Sequence, residues 1–173
     1  MDASEVEIRE ARSEADEAAA ATLMAAYLAW GGERVREEYG VEEKLADPSQ
    51  VAETLSAYRR PTGLLLLARS SGRPVGVGAL RQLPDGAAEI KRMYVVPDAR
   101  SLHIGSRMLD HMIASAVEFG ANVIRLDTAR FMIEAHGLYR SRGFVERPPY
   151  DGTEIPAHLH EHWLFFERRV EHM

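Results

Sequence analysis

Cysteine is absent from this sequence of 173 residues. Its absence excludes a disulfide framework, a thiol nucleophile and a cysteine-ligated zinc site, and it leaves the redox compartment unconstrained. Long apolar runs are also missing, because the longest aliphatic stretch, Leu64 to Ala68, is far too short to cross a bilayer. Residues 1–17 are acidic and contain no apolar core of a secretory signal. These absences predict a cytoplasmic protein with no membrane partner.

Positive charge is not in excess either. The formal net charge is −6 at pH 7, which argues against a nucleic-acid partner. The acidic balance mildly favours a cationic substrate such as an amine, although salt screens this attraction beyond about 8 Å. Length and composition are those of an ordinary soluble domain, so we expect a single domain over residues 1–173. Homodimer formation stays open.

Apolar periodicity predicts strands and helices in alternation. In chain order, the expected elements are a strand at 6–9, a helix at 13–30, a charged helical region at 32–60, strands at 64–69, 74–82 and 87–96, a helix at 104–120, a strand at 123–126, a helix at 131–142 and a strand at 163–168. Ser13 is expected to cap the first helix and Gly31-Gly32 to end it. This alternation predicts an α/β or α+β sheet with helices on its faces.

The segment from 89 to 106 joins the third long strand to a helix. A strand, turn and helix of this kind aims several backbone N–H groups and the positive end of a helix dipole at one point. The sequence therefore indicates an anion site suited to phosphate. Taken alone the pattern is equally typical of a turn that only starts a helix.

The same segment resembles the acyl-CoA loop of the GNAT acetyltransferase superfamily, whose pattern is Arg or Gln, two residues, Gly, one residue, then Gly or Ala. The matching positions are Arg100, His103 and Gly105. Further matches in the expected order are Tyr94-Val95-Val96-Pro97, Leu126-Asp127-Thr128, Leu138-Tyr139 and Gly143-Phe144. The resemblance covers residues 5 to 170. It implies a GNAT fold, with a twisted mixed sheet of about six or seven strands and helices on both faces.

The resemblance implies an N-acetyltransferase that moves an acetyl group from acetyl-CoA to a primary amine of a small molecule or peptide. It implies no metal cofactor. The residues expected to bind acetyl-CoA are Met93, Tyr94, Val95, Arg100, Ser101, Leu102, His103, Ile104, Gly105 and Ser106. His103 departs from the family pattern, which has glycine there, and a Cβ restricts both close approach and positive φ. Either its backbone still meets the pyrophosphate, or the loop is distorted and binding is weakened.

Two side chains are candidates for catalysis. Tyr139 occupies the family position of the general acid that protonates the CoA thiolate, and its alternative role is packing on the last helix. Glu89 lies where some family members carry a catalytic glutamate, and its alternative role is an exposed carboxylate paired with an arginine. A base is useful because primary amines, with a pKa of about 10.4, are mostly protonated at neutral pH.

The acceptor site is less well marked. Tyr27, Trp30, Arg92 and Asp127 form the candidate substrate-binding set, and Met132 is expected only to pack. His158, His160 and His162 alternate along an apparent strand, where they either bind zinc or nickel or are simply solvated. Two other functions stay open: a non-catalytic acyl-CoA-binding regulatory module, and a metal-binding or interaction protein that uses these histidines.

Overall fold

One mixed sheet forms the centre of the computed structural model, which describes residues 5–42 and 46–171. Its strands are β1 (Val6–Glu10), β2 (Gly63–Ser70), β3 (Arg73–Gln82), β4 (Ala88–Val95), β5 (Val123–Ala129), β6 (Val145–Arg147) and β7 (Trp163–Arg169). They lie in the order β1-β2-β3-β4-β5-β7-β6. All neighbouring pairs are antiparallel except β4 and β5, which are parallel.

Helices cover both faces of this sheet. They are α1 (Glu14–Tyr39), the short α2 (Val51–Thr54), α3 (Ile104–Glu118) and α4 (Ile133–Ser141). Alternation along β2 shows the two layers, because side chains of a strand point to opposite faces in turn. Leu64 and Leu66 pack in the core that includes residues of α3 and α4, whereas Leu65 and Leu67 pack in the core that includes residues of α1. The predicted mixed α/β sheet is confirmed.

Glycines in β3 allow α3 to lie close to the sheet. A Cβ atom on Gly76 would stand 3.0 Å from the Met108 sulfur, and one on Gly78 would stand 3.1 Å from Met112 Cε. The side chains of Met108 and Met112 therefore fill the space that a larger side chain at Gly76 or Gly78 would occupy. This contact fixes the position of α3, whose first residues belong to the expected acyl-CoA loop.

The first helix is longer than the sequence predicts. Ser13 caps it as expected, since its hydroxyl accepts a hydrogen bond from the Asp16 N–H at 3.1 Å. The prediction that Gly31-Gly32 ends the helix is wrong, because α1 continues to Tyr39 and stops at Gly40, which has a φ of 65°. Of these three glycines, it is Gly40 that takes the left-handed conformation typical of a helix end. The extension places the second half of α1 beside the carboxyl ends of β4 and β5.

The histidine segment is also different from its prediction. Residues Ala157–His162 form a 3-10 helix rather than a strand, so their side chains do not share one face. Pro156, whose φ is −58°, directly precedes this helix. Strand β6 was not predicted; it is a short edge strand paired with β7. The hairpin turn between β2 and β3 is confirmed at Ser71-Gly72, both with positive φ.

Within the described residues, no helix is both long enough and apolar enough to span a bilayer.

Candidate active site

The parallel strands at the centre of the sheet separate soon after they meet. In the described structure, β4 and β5 are paired only at Ala88 with Ile124 and at Glu89 with Arg125. Both strands run further, to Val95 and to Ala129, and β5 is paired with β7 on its other edge along its whole length. The facing edges of β4 and β5 beyond Glu89 therefore offer backbone N–H and C=O groups to water or a ligand.

A bulge in β4 lies at the start of this opening. On β3, Val77 and Ala79 are two positions apart, whereas their partners on β4, Tyr94 and Lys91, are three positions apart. The extra residue bends the strand and increases its twist. Arg92 within it has a φ of 56°, a left-handed conformation that costs a residue with a Cβ about 1–2 kcal/mol. This conformation directs Met93, Tyr94 and Val95 along the edge of the opening.

The expected acyl-CoA loop follows β4 directly. A 3-10 helix covers Pro97–Leu102, and α3 begins at Ile104 after His103. The first helical hydrogen bond runs from the Arg107 N–H to the His103 carbonyl at 3.2 Å. The preceding N–H groups of residues 104–106 have no acceptor within the helix, which is the usual state of a helix N-terminus and favours an anion.

His103 takes the backbone conformation that the family's glycine would supply. Its φ is 55° and its ψ is 26°, and its side chain is exposed. Histidine is one of the residues that occupy this left-handed region more often than most. The loop therefore closes normally, and the imidazole points to solvent. The exposed side chain therefore favours the first of the two expectations for His103, that its backbone still meets the pyrophosphate.

Gly105 leaves room for a ligand. A Cβ atom there would stand 3.8 Å from Leu138 Cδ2 and 3.9 Å from Met93 Cε, which are ordinary contacts. Packing of the protein alone therefore does not require a glycine at this position. These distances also bring the N-terminus of α3 beside the end of β4, so the anion site and the strand opening adjoin.

Tyr139 lies on α4 in the core near this opening. It is 6% exposed, and its ring lies 6.0 Å from the rings of Phe144 and Phe166. Burial raises the pKa of Tyr139 well above its ordinary value, with smaller contributions from Tyr27 and Asp127. The phenol is therefore protonated at any physiological pH. Its ring packs on Phe144 and Phe166, as the alternative role predicts, and its hydroxyl is protonated, while the raised pKa makes it a weaker acid than an ordinary phenol.

A cavity of about 400 Å³ lies between α1 and the carboxyl ends of β4 and β5. Its lining combines apolar surface with charged side chains from four parts of the chain. The charged groups are Glu33, Arg36, Glu42, Lys91, Arg92, Asp127 and Glu154. Tyr27, Met132 and Trp163 contribute aromatic and thioether surface. A cavity of this size and mixed character suits a small polar acceptor or the end of a peptide.

Ion pairs cross the floor of the cavity. Lys91 Nζ lies 3.6 Å from Asp127 Oδ2 and 3.2 Å from Glu154 Oε2, and Arg92 lies 3.0 Å from Glu154. Burial lowers the pKa of Lys91, but the carboxylates of Asp127, Glu89 and Glu154 outweigh burial and raise it above its ordinary value. Lys91 is therefore charged at neutral pH and fixes both carboxylates.

Glu89 is fully buried beneath this floor, on the same face of β4 as Lys91. Its carboxylate accepts hydrogen bonds from Arg81 Nε at 2.7 Å and from the Tyr150 hydroxyl at 2.8 Å. It is 0% exposed and does not line the cavity. The alternative role predicted an exposed carboxylate paired with an arginine. The pairing with an arginine, Arg81, is confirmed, and the predicted exposure is wrong.

Comparisons with known proteins agree with this arrangement. A model of the Acetyltransferase (GNAT) family matches residues 28–144. The chain belongs to the GNAT acetyltransferase family. An IAA acetyltransferase from Azospirillum brasilense is 36% identical over 97 residues, which cover 56% of this chain and 63% of the relative. An uncharacterised N-acetyltransferase from Schizosaccharomyces pombe is 32% identical over 118 residues, 67% of this chain and 69% of the relative.

A solved GNAT-family acetyltransferase from Staphylococcus aureus Mu50 has the same fold. It aligns with a TM-score of 0.72 at 21% identity, over 96% of this chain and 99% of that one. The match to this chain thus spans less than two thirds of the length of the Azospirillum relative. It spans nearly the full length of the Staphylococcus aureus protein.

The GNAT fold brings most of the predicted site residues to the strand opening. Tyr27, Arg92 and Asp127 line the cavity, whereas Trp30 is not among its lining residues. Trp30 is 37% exposed and packs edge-on against Phe131 at 5.8 Å. The roles of these residues in binding and catalysis stay predictions.

Sequence reasoning did not single out four residues of the charged network in and beneath the cavity: Arg81, Lys91, Tyr150 and Glu154. One signal was available, because Glu89 and Lys91 are two residues apart on a strand and must share a face. Two charges on one face of a central strand indicate an internal polar site. No comparable signal marks Tyr150 or Glu154, since a loop carries them to β4 from a distant part of the chain.

The histidines do not assemble a metal site. Among the described residues, no group of three or more His, Asp or Glu side chains is placed to hold a metal ion. The His160 ring lies 2.9 Å from the Ile155 carbonyl, and the His162 ring stacks on Tyr39 at 4.4 Å. These contacts tie His160 to the loop before it and His162 to α1.

Proposed function

We propose that this GNAT protein transfers the acetyl group of acetyl-CoA to a primary amine that enters the charged cavity. The observation that carries the proposal is the opening between β4 and β5. Its edges adjoin the N-terminus of α3, through Met93 beside Gly105, and also the cavity, through Arg92 and Asp127. One opening thus connects a phosphate-binding element with an acceptor pocket.

The chain provides the groups that acetyl-CoA requires. The N–H groups of residues 104–106 and the positive end of α3 suit its phosphates, and Arg100 is exposed beside them, with its Nε 3.1 Å from the Val95 carbonyl. Backbone groups of Met93 to Val95 suit the amides of the pantetheine arm. When bound, acetyl-CoA supplies an activated thioester, and a backbone N–H donor to its carbonyl oxygen is worth about 3 to 4 kcal/mol of barrier.

The acceptor side suits an amine. Four carboxylates line the cavity, those of Glu33, Glu42, Asp127 and Glu154, against three cationic groups, those of Arg36, Lys91 and Arg92, which leaves one negative charge in excess. An arriving ammonium group gains attraction from these carboxylates and needs a nearby proton acceptor before it can attack. Tyr139 holds the proton that we assign to the departing thiolate, and Glu89 stays the predicted base for the amine proton, directly or through water.

Two measurements test this function. Acetyl-CoA at a hundredfold excess over its Kd should stabilise the folded protein by about 2.7 kcal/mol, which a thermal melt detects and calorimetry confirms. Thiol release from acetyl-CoA across a panel of small amines and peptides then tests turnover. Binding without release by any amine would support the regulatory module instead. No melting shift at millimolar acetyl-CoA, confirmed by calorimetry, would sink both.

A further inference from the structure

A single hydroxyl group bridges two carboxylates in the floor of the cavity. The Tyr150 hydroxyl donates to Glu89 Oε2 at 2.8 Å and lies 3.4 Å from Asp127 Oδ2. Asp127 lines the cavity, whereas Glu89 is fully buried and does not. Tyr150 therefore lies between a carboxylate that meets the acceptor pocket and one that is closed off from it.

The Tyr150 ring is held firmly in this position. It packs edge-on against Phe165 at 5.8 Å, and the guanidinium carbons of Arg125 and Arg147 lie 5.7 and 5.9 Å from its centre. Burial raises the pKa of Tyr150 far above its ordinary value, with further contributions from Asp127 and Glu89. It is therefore a permanent hydroxyl, able to give one proton while it accepts another.

The neighbours of Asp127 fix the oxygen that faces Tyr150. Thr153 Oγ donates to Asp127 Oδ2 at 3.2 Å, and Lys91 Nζ lies 3.6 Å from the same oxygen. With one oxygen held in this way, the carboxylate has a fixed orientation toward Tyr150. An amine in the cavity meets a carboxylate that is already connected to the interior.

We propose that Asp127, Tyr150 and Glu89 form a proton path that takes the acceptor's proton from the cavity to the buried carboxylate. This inference rests on the proposed acetyl transfer. The N–H bond of the acceptor breaks as its proton passes to Asp127 Oδ2, the oxygen that lies 3.4 Å from the Tyr150 hydroxyl. Asp127 Oδ2 then gives that proton to the Tyr150 oxygen while Tyr150 gives its own to Glu89 Oε2. Asp127 ends as a carboxylate, Tyr150 as a hydroxyl and Glu89 as a neutral carboxyl.

The surroundings of Glu89 accommodate its neutral form. Its partner Arg81 keeps two other contacts, 3.7 Å to Glu154 Oε1 and 3.2 Å to the Gly152 carbonyl. Protonation of Glu89 therefore does not leave the Arg81 guanidinium without a partner, which would be costly in a buried site. After the product leaves, the proton returns to solvent along the same path. Asp127 is the group that meets the substrate, and Tyr150 and Glu89 act through it.

Replacement of Tyr150 by Phe tests the path, because it keeps the ring and removes only the relay oxygen. With an amine slow enough that chemistry limits the rate, kcat should fall by about 10²-fold, the lower end of a general acid–base contribution. The Kd of acetyl-CoA should be unchanged. The solvent deuterium isotope effect on kcat should also shrink, since fewer protons move in the limiting step. A purely structural role would leave this isotope effect unmoved.

Tyr39→Phe is the matched control. Tyr39 packs on His162 and Phe131, outside the set of residues that line the cavity, so kcat and the isotope effect should stay at wild-type values. Glu89→Gln should lose about as much activity as Tyr150→Phe, and the double variant should lose no more than either. Residues that act as one unit give such non-additive losses.

The outcomes separate the relay from the proposed function. If the wild type releases no thiol with any amine, acetyl transfer and the relay both fail. If the wild type turns over while Tyr150→Phe keeps wild-type kcat and isotope effect, only the relay is overturned. Independent losses that multiply in the double variant, with acetyl-CoA binding intact, would also overturn it, because Tyr150 and Glu89 would then act separately.

Discussion

At the scale of single residues, Tyr139 combines a packing role with a protonated hydroxyl. Replacement by Phe keeps the ring contacts with Phe144 and Phe166 and removes only the hydroxyl. If Tyr139 is the general acid, kcat should fall by roughly 10² to 10⁴. The Kd for acetyl-CoA should hardly change, because the lost interaction belongs to the transition state. Steady-state kinetics with a reactive amine, together with calorimetry, measures both quantities.

Tyr139→Ala separates catalysis from packing. This truncation should reduce the free energy of unfolding by about 3 to 5 kcal/mol whichever role the hydroxyl has, as for other large buried side chains. An unchanged kcat in Tyr139→Phe, with chemistry shown to be rate-limiting, would remove Tyr139 from the mechanism and leave water as the acid.

His103 gives a second prediction at this scale. Its φ of 55° suits glycine better than histidine, and its side chain is exposed. His103→Gly should therefore keep or modestly increase the affinity for acetyl-CoA, since the backbone N–H groups remain and the conformation relaxes. Titration calorimetry of both proteins checks this expectation. A loss of roughly 1 to 3 kcal/mol would show instead that the imidazole donates a hydrogen bond to a phosphate.

The residues of the site differ in how well a sequence can reveal them. Local motifs pointed to Arg100 and Gly105, because a turn that opens a helix is encoded by neighbouring residues. Tyr139 lies within α4 and was predicted from the resemblance of Leu138-Tyr139 and Gly143-Phe144 to the family pattern. Tyr150 and Glu154 could not be found in this way. They reach β4 only through the loop between β6 and β7, whose path depends on tertiary packing.

At the scale of elements, α1 shows where local signals mislead. Two consecutive glycines usually favour the end of a helix, because glycine carries a high entropic cost inside one. Here α1 continues past them and buries Val35, which packs with Leu83 and Trp163 in a separate cluster. Burial of apolar surface in the last part of the helix outweighs the weak local propensity. A sequence pattern reports local preference and contains no direct record of such distant partners.

The glycines of α1 allow a matched test. An added Cβ would meet nothing within 4 Å at either Gly32 or Gly40, so sterics do not distinguish the sites. Gly32 lies inside the helix, and Gly32→Ala should raise the free energy of unfolding by about 0.4–1 kcal/mol. Gly40 has a φ of 65°, so Gly40→Ala should lower it by about 1 kcal/mol. Urea unfolding measures both.

Equal effects of the two substitutions would contradict the boundary of α1. If both stabilised the protein, Gly40 would belong inside the helix. If Gly32→Ala destabilised it, the helix would be broken near Gly31-Gly32, as the sequence pattern indicated.

At the scale of the whole molecule, arginine–carboxylate pairs join distant parts of the chain. The pKa of Asp16 is lowered chiefly by the hydrogen bond from Arg69, across 53 residues. Arginines likewise lower the pKa of Glu17 and of Asp85. Burial is the largest single influence on three other carboxyls and raises their pKa, but their cationic partners together outweigh it. The pKa of each is therefore lowered; these residues are Glu10, Glu154 and Glu167.

These pairs predict that acid destabilises the folded protein. A carboxyl whose folded pKa is lowered contributes stability above its unfolded pKa, and this contribution is lost as pH falls through the folded value. For Asp16 the unfolded value is 3.8 and for Glu10 it is 4.5, so their loss falls below about pH 4.5. Burial lowers the pKa of His136 from 6.5, so neutral His136 adds a loss that begins near pH 6.5. Urea unfolding from pH 8 to pH 3 should therefore show a small decline in stability first and a steep one below pH 4.5.

Asp16→Asn should be less stable at pH 7 and decline less below pH 4, because its titrating group is gone. Stability that stays level between pH 5 and pH 3 would mean that these ion pairs contribute nothing to the fold.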